Sequence, residues 1–118
     1  MSESNDQVLI YPGSKIGPDA IIEPYAIVGI QDRFHPTGKA IIGCRAFIGS
    51  RCTFYAGSTA GDDLDLSDQT TIFTDVEIGS RVRIGPKAVI KNGCRIGDDV
   101  RINAQVFMER VEVGSNVF

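Results

Sequence analysis

The chain has 118 residues, of which 42% are hydrophobic and 23% charged, and its formal net charge is −3. These fractions are typical of a globular domain and disfavour a disordered or collagen-like chain. Acidic and basic residues are mixed along the sequence, so we expect no nucleic-acid or membrane partner. No stretch nears the roughly 20 apolar residues of a membrane helix, and the acidic N-terminus is unlike a signal peptide. We therefore expect a single cytoplasmic domain, residues 1–118.

Cysteine use also indicates a reducing compartment. The three cysteines, Cys44, Cys52 and Cys94, leave one thiol without a partner in any disulfide scheme, and none has the spacing of a zinc site. We interpret all three as structural, because a nucleophilic thiol needs an activating base and none is evident. We expect neither a metal nor a tightly bound cofactor.

A repeat of six residues begins after a short N-terminal tail, residues 1–7. Aliphatic side chains recur at every sixth position, and nearly all are preceded two positions earlier by a small or β-branched residue, with Leu64 as the exception. The repeat is interrupted once, because Ile42 follows Val28 by fourteen positions, where twelve would keep the phase. We therefore expect an outward corner loop within residues 30–39 that takes up two extra residues. The aliphatic positions before the loop are Ile10, Ile16, Ile22 and Val28.

After the loop the repeat continues without a slip over twelve aliphatic positions. Glycine follows many of them, where a tight corner between strands can use a residue without a Cβ. An amphipathic helix requires apolar spacings of three and four, and a hairpin sheet requires strict alternation, so neither explains a period of six. Short strands with regular corners do explain it. The twelve positions are Ile42, Ile48, Phe54, Ala60, Leu66, Ile72, Ile78, Ile84, Ile90, Ile96, Ile102 and Met108.

The period of six therefore predicts an all-β fold, a left-handed parallel β-helix shaped as a triangular prism of about six coils. Three hexads close one coil, so inward residues stack at a spacing of eighteen, for example Ile42 on Ala60. Each coil buries its apolar residues only against neighbouring coils, which makes the two ends the weak places. A second slip, one residue short, lies between Met108 and Val113. The last coil is incomplete at Phe118, which exposes strand backbone unless another chain covers it.

Three hexads carry a resemblance to a known family: residues 78–83, 84–89 and 96–101, which read IGSRVR, IGPKAV and IGDDVR. They resemble the hexapeptide-repeat acyltransferases, the isoleucine-patch family, and the resemblance extends over nearly the whole chain. The resemblance indicates the prism fold more specifically than it indicates a reaction. Acetyltransferases, γ-class carbonic anhydrases and non-catalytic scaffolding subunits all share this repeat. The carbonic anhydrase alternative is disfavoured, since that site needs three imidazoles and His35 is the only histidine.

The run over residues 101–118 is most similar to bacterial acetyltransferases that act on nucleotide-linked amino sugars. This similarity implies a homotrimer, with acetyl-CoA as co-substrate in a groove between adjacent prisms and the acceptor sugar near the corner turns. The sequence departs from those relatives at two places. Ala104 and Gln105 stand where neighbouring asparagines are usual, and Ser67 and Asp68 stand where many relatives have a glycine–histidine pair. The base histidine of the wider family is therefore missing there.

Two residues are candidates for the general base. His35 lies in the predicted loop, and an unperturbed imidazole pKa of about 6.5 suits proton transfer. The alternative for His35 is an exposed loop residue, since no partner for its ring is evident. Asp68 occupies the position where relatives carry histidine, and its alternative is a solvated acidic surface shared with neighbouring aspartates.

Four further residues are candidates for ligand contacts. Asn103 and Gln105 lie at or beside a predicted corner, where an amide can bind the acceptor or cap turn backbone. We assign substrate binding to both, and a catalytic role to Asn103 as well. Lys87 and Arg101 belong to a basic stretch that could meet CoA phosphates as a point charge and a fork. A plain soluble surface explains those two cations equally well.

Together these observations predict an acyltransferase that moves an acetyl group from acetyl-CoA to an amine or hydroxyl of a small acceptor, a nucleotide-linked amino sugar. Direct attack would need alignment of amine and thioester, one proton acceptor, and backbone N–H groups facing the developing oxyanion. The alternative is a non-catalytic β-helix module for trimerisation or scaffolding, or a fragment of a longer enzyme. The incomplete last coil and the altered turns favour this alternative.

Overall fold

The computed structural model describes residues 7–34, 36 and 38–118. In this part of the chain there are seventeen short strands and no helix long and apolar enough to cross a membrane. The predicted tail, residues 1–7, lies outside the described residues except for Gln7. The strands are β1 (Leu9–Ile10), β2 (Lys15–Ile16), β3 (Ile21–Ile22), β4 (Ile27–Val28), β5 (Ile41–Ile42), β6 (Phe47–Ile48), β7 (Thr53–Phe54), β8 (Thr59–Ala60), β9 (Asp65–Leu66), β10 (Thr71–Ile72), β11 (Glu77–Ile78), β12 (Val82–Ile84), β13 (Val89–Ile90), β14 (Arg95–Ile96), β15 (Val100–Ile102), β16 (Phe107–Met108) and β17 (Glu112–Val113).

The strands form three parallel sheets, because the chain visits the three faces of a prism in turn. Sheet one is β1-β4-β7-β10-β13-β16, sheet two is β2-β5-β8-β11-β14-β17, and sheet three is β3-β6-β9-β12-β15. Val100 also forms a parallel bridge with Val117, which extends sheet three. This arrangement confirms the predicted parallel β-helix of about six coils.

The inward side chains form the core as predicted. Phe54 pairs in register with Ile72, and Ile72 with Ile90, which confirms the ladder of spacing eighteen. All three are fully buried, whereas Ile10 in the first coil is 49% exposed. Because full burial of such a side chain stabilises a fold by roughly 1.5–3 kcal/mol, the stabilising contacts are concentrated in the middle coils.

The corner loop lies where it was predicted, but its predicted size is wrong. Ile16 pairs with Ile42 across the loop, an offset of 26, whereas Ile42 pairs with Ala60 at the regular offset of 18. The loop therefore inserts eight residues into one hexad. It does not add two residues to two hexads, because the described residues of this segment, 30–34, 36 and 38–39, contribute no strand. The second slip is confirmed, since Arg95 pairs with Glu112 at an offset of 17.

The glycines that follow the inward aliphatic residues allow the coils to stack closely. A Cβ on Gly79 would lie 2.8 Å from the carbonyl carbon and oxygen of Gly97 in the next coil. Except at Gly29, with φ of 90°, the φ angles of these glycines are ordinary, and the left-handed conformation falls two residues later, as at Arg45 and Arg81, both with φ of 59°. The expected use of residues without a Cβ at the corners is thus explained by the close approach of the next coil.

Gly79→Ala should lower the free energy of unfolding by about 1–3 kcal/mol, because the added methyl group meets the backbone of the next coil. Gly114→Ala is the matched control: Gly114 occupies the same position in its hexad, and nothing lies within 4 Å of its Cβ position. Urea titrations of both variants measure the difference. Equal stabilities would contradict close stacking at the corners.

Candidate functional site

Polar side chains at the corners cap the backbone of neighbouring coils. Asp62 Oδ1 accepts a hydrogen bond from Cys44 N at 2.8 Å, and Asp62 N in turn donates to Ser80 Oγ at 3.1 Å. Asp68 has the same role, since its Oδ1 accepts from Ser50 N at 3.0 Å. One oxygen of the candidate base Asp68 is therefore engaged in holding a turn, although the residue is exposed.

Two of the predicted site residues, Arg101 and Asn103, share a groove on the outer face of sheet three. We name it the sheet-three groove; its volume is about 170 Å³, and Asp65, Ser67 and Arg83 also line it. Strands β12 and β15 pair Arg83 directly with Arg101. Because side chains alternate between the two faces of a strand, these outward residues lie side by side. The groove thus presents two guanidinium groups and one amide on one surface.

The charge of the sheet-three groove is poorly compensated. Elsewhere an arginine meets a carboxylate across one coil, as Arg81 meets Asp99 at 2.6 Å. Arg83 lies 3.8 Å from Asp65, and Arg101 has no carboxylate within ion-pair distance among the residues that the structure describes. Like charges directly opposite on neighbouring strands repel each other. Asp65 therefore compensates only one of the two guanidinium charges, and the Arg83–Arg101 pair keeps an excess of positive charge.

Other arginines stabilise the corners through ion pairs. Hydrogen bonds and charge from Arg45 hold the pKa of Asp63 below its ordinary value, and Arg81 does the same for Asp99. Because these folded-state pKa values are lowered, the pairs add stability at neutral pH that is lost as the pH falls through them. The side chains remain accessible to water, so each contribution is small.

Asp68, Lys87 and Gln105 stack on successive coils at the corner between sheets three and one. Lys87 N donates to the Asp68 carbonyl oxygen at 3.0 Å, and Gln105 N donates to a carbonyl of the preceding coil at 2.9 Å. Lys87 and Gln105 both have a φ of 60° and are exposed. The structure therefore groups these three residues on one corner, and Arg101 and Asn103 on the adjoining face.

The loop that carries His35 is anchored to the following coil. Ala56 N donates to the Ile30 carbonyl at 2.9 Å, and Gly57 N donates to the Lys39 carbonyl at 3.0 Å. His35 itself lies outside the described residues, so its role as a general base stays a prediction.

Sequence reasoning missed a larger groove beside this loop. We name it the loop groove; its volume is about 670 Å³, and residues 30–34 form one wall. The opposite wall contains Tyr55 and Phe73, whose rings stack with centroids 5.0 Å apart and planes 9° apart. Lys91 Nζ lies 5.1 Å from the Phe73 centroid. The signal was available, since two aromatic residues occupy outward positions eighteen residues apart.

The structural interpretation of the cysteines is supported by their surroundings. Burial raises the pKa of the Cys52 thiol, and its Sγ donates to the Ser67 carbonyl at 3.0 Å. Cys94 is fully buried.

Over residues 7–34, 36 and 38–118, no group of three or more histidine, cysteine or acidic side chains is placed to hold a metal ion.

Comparison with known proteins agrees with this architecture. Residues 75–110 match the family model described as bacterial transferase hexapeptide (six repeats). The bifunctional protein GlmU of Staphylococcus haemolyticus is 29% identical over 104 residues, which cover 88% of this chain and 21% of that protein. The chain spans only 15–21% of the length of the curated relatives it matches.

Solved structures show the same fold. UDP-N-acetylglucosamine acyltransferase of Francisella novicida superimposes with a TM-score of 0.69 at 15% identity, over 94% of this chain and 56% of that chain. A mutant perosamine N-acetyltransferase of Caulobacter crescentus, in complex with CoA and GDP-perosamine, gives 0.51 at 17% identity, over 94% and 49%. The fold thus defines a parallel β-helix protein, and its outer surface carries two grooves, the sheet-three groove and the loop groove, that are large enough for ligand groups. Within this fold, residues 75–110 match the hexapeptide repeat of bacterial transferases.

Asp68→Ala should lower the free energy of unfolding by about 1 kcal/mol, because the N–H of Ser50 loses its acceptor. Asp68→Asn keeps an acceptor oxygen at the same position, so its stability should stay within about 0.5 kcal/mol of the parent chain. Denaturant titrations of the two variants measure the difference. Unchanged stability of Asp68→Ala would show that the capping contact is unimportant.

Proposed function

We propose that the chain is, or forms part of, an acyltransferase that moves an acetyl group from acetyl-CoA to an amine or hydroxyl of a nucleotide-linked amino sugar. One observation carries the proposal: Arg83 and Arg101 lie side by side on a hexapeptide-repeat prism, with Asn103 in the same groove. Similarity to GlmU and to proteins named as acyl- and acetyltransferases supports the choice of reaction.

The arginine pair would bind phosphate groups of acetyl-CoA. A guanidinium group stays charged and donates parallel N–H bonds to phosphate oxygens. A bound phosphate would also relieve the repulsion between Arg83 and Arg101. Lys87, on the adjoining corner, would add a point charge. The acetyltransferase of Caulobacter crescentus, whose complex contains CoA, has the same fold.

The reaction would proceed by direct attack within the aligned pair of substrates. The acceptor nitrogen or oxygen attacks the thioester carbonyl carbon, the C–S bond breaks, and CoA leaves as a thiolate. The acceptor proton passes to a base and then to the thiolate. The second oxygen of Asp68 and the ring of His35 are the candidate bases, and Asn103 and Gln105 would hold the acceptor. Alignment supplies most of the rate enhancement, so a weak base suffices.

A homotrimer would bring two prisms around each substrate groove. The outer face of sheet one supports this, because it carries exposed apolar side chains, including Leu9 at 51% and Phe107 at 63%. Phe107 lies in register beside Val89, which continues the apolar surface onto the neighbouring coil. Exposed apolar surface on a rigid face is typical of a protein interface.

A non-catalytic scaffold is the second candidate. The observation that favours it is the engagement of Asp68 in capping Ser50 N, which gives the candidate base a structural role. Such a module would trimerise without binding acetyl-CoA.

Calorimetric titration of acetyl-CoA distinguishes the two candidates, with the oligomeric state established by light scattering at the same concentration. The acyltransferase should show saturable binding near one site per subunit of a trimer. A well-folded trimer that binds no acetyl-CoA would contradict catalysis by this chain alone and leave the scaffold.

Arg101→Ala should weaken acetyl-CoA binding by about tenfold, which corresponds to about 1.4 kcal/mol, because a phosphate loses a charged donor. Arg45→Ala is the control, since Arg45 is already paired with Asp63 at 2.8 Å on another corner. Calorimetry on both variants measures the effect. Equal affinities of the two variants would show that the sheet-three groove does not hold the coenzyme.

A further inference from the structure

We infer that the loop groove is a nucleotide site, in which a planar base lies against the aromatic wall and its phosphate meets the neighbouring cations. The location follows from the geometry of the groove, and the choice of ligand class rests on the proposed function. A volume of about 670 Å³ is large enough for a nucleotide and lies within the usual range of small-molecule sites.

The loop wall of this groove is held in place by hydrogen bonds. Besides the two bonds from Ala56 N and Gly57 N that anchor its ends, Gln31 Nε2 donates to the Gly38 carbonyl at 3.2 Å across the base of the loop. Asp32 Oδ1 accepts from Phe34 N at 2.8 Å, so this carboxylate is engaged within the loop. A wall fixed before binding reduces the ordering cost when a ligand enters.

The aromatic wall offers a flat surface with space beside it. Val28 pairs with Phe54, so Gly29 is the neighbour of Tyr55 in the column of outward residues. A Cβ on Gly29 would meet Ser14 Oγ, so the space beside Tyr55 is the groove bounded by residues 30–34 and not the position of a missing side chain. On its other side Tyr55 stacks on Phe73. Stacking of a base on such a ring contributes about 1–3 kcal/mol and does not depend on which base it is.

Two cations, Lys91 and Arg33, line the groove beside its aromatic side chains. Lys91 Nζ covers the Phe73 ring, and the guanidinium carbon of Arg33 lies 4.8 Å from the Phe34 centroid. Within the described part of the chain, neither cation forms an ion pair. Glu109 is 3.5 Å from Arg110. The groove lining contains three cations, Arg33, Lys91 and Arg110, and two carboxylates, Asp32 and Glu109, so positive charge is in excess. A ligand that combines a flat ring with negative charge therefore complements this surface better than an apolar one.

The test compares variants of the two walls in calorimetric titrations with two probes, coenzyme A and UDP. Tyr55→Leu and Lys91→Gln should each weaken binding of one of these nucleotides by about tenfold. The affected probe identifies the source of the base, which is adenine from the acyl donor or uracil from the acceptor. Tyr25→Leu is the control, because Tyr25 is exposed and faces Arg51 outside the groove. Circular dichroism establishes that each variant keeps the fold.

The outcomes separate this inference from the proposed function. If either nucleotide binds the parent chain and both groove variants retain the parent affinity, the loop groove is not the site, and the acyltransferase proposal stands. If neither nucleotide binds the parent chain, the inference and the proposed function are both wrong. Loss of binding in Tyr55→Leu and Lys91→Gln, with Tyr25→Leu unchanged, supports the site.

Discussion

Backbone hydrogen bonds between successive coils hold each residue beside its counterpart one coil later, usually eighteen positions along the chain. Every strand is too short to be stable alone, so each depends on the coils on either side. The same bonds bring the corners together so closely that Gly79 has no room for a side chain. Core burial, corner caps and surface ion pairs all follow from this one register.

The register also explains how a rigid prism acquires binding surfaces without long loops. An outward position repeated in consecutive coils becomes a column of side chains. In one column the repeat places Arg83 beside Arg101, and in another it stacks Tyr55 on Phe73. Neither arrangement needs a conformational change to form. The single inserted loop adds a wall to the second column, and the two grooves lie on different faces of the prism.

The inward residues could be predicted from sequence because burial restricts them to apolar side chains with a regular period. The size of the loop could not be predicted in this way. Val28 and Ile42 are fourteen positions apart, which can be divided into two hexads with two extra residues or into one hexad with eight extra residues. Periodicity alone does not distinguish these. The capping contact of Asp68 depends on a distance between coils that no pattern of residue types contains. The Tyr55–Phe73 stack could have been predicted by applying the spacing of eighteen to outward positions. His35 lies outside the described residues, and its role stays a prediction.

The central claim is that the columns on the outside of the prism bind the acyl donor. A crystal structure of the chain grown with saturating coenzyme A tests it most directly. Phosphate oxygens of the coenzyme should lie within hydrogen-bonding distance of the guanidinium groups of Arg83 and Arg101. Coenzyme A bound with its phosphates elsewhere, or an accessible sheet-three groove without the coenzyme, would contradict the account.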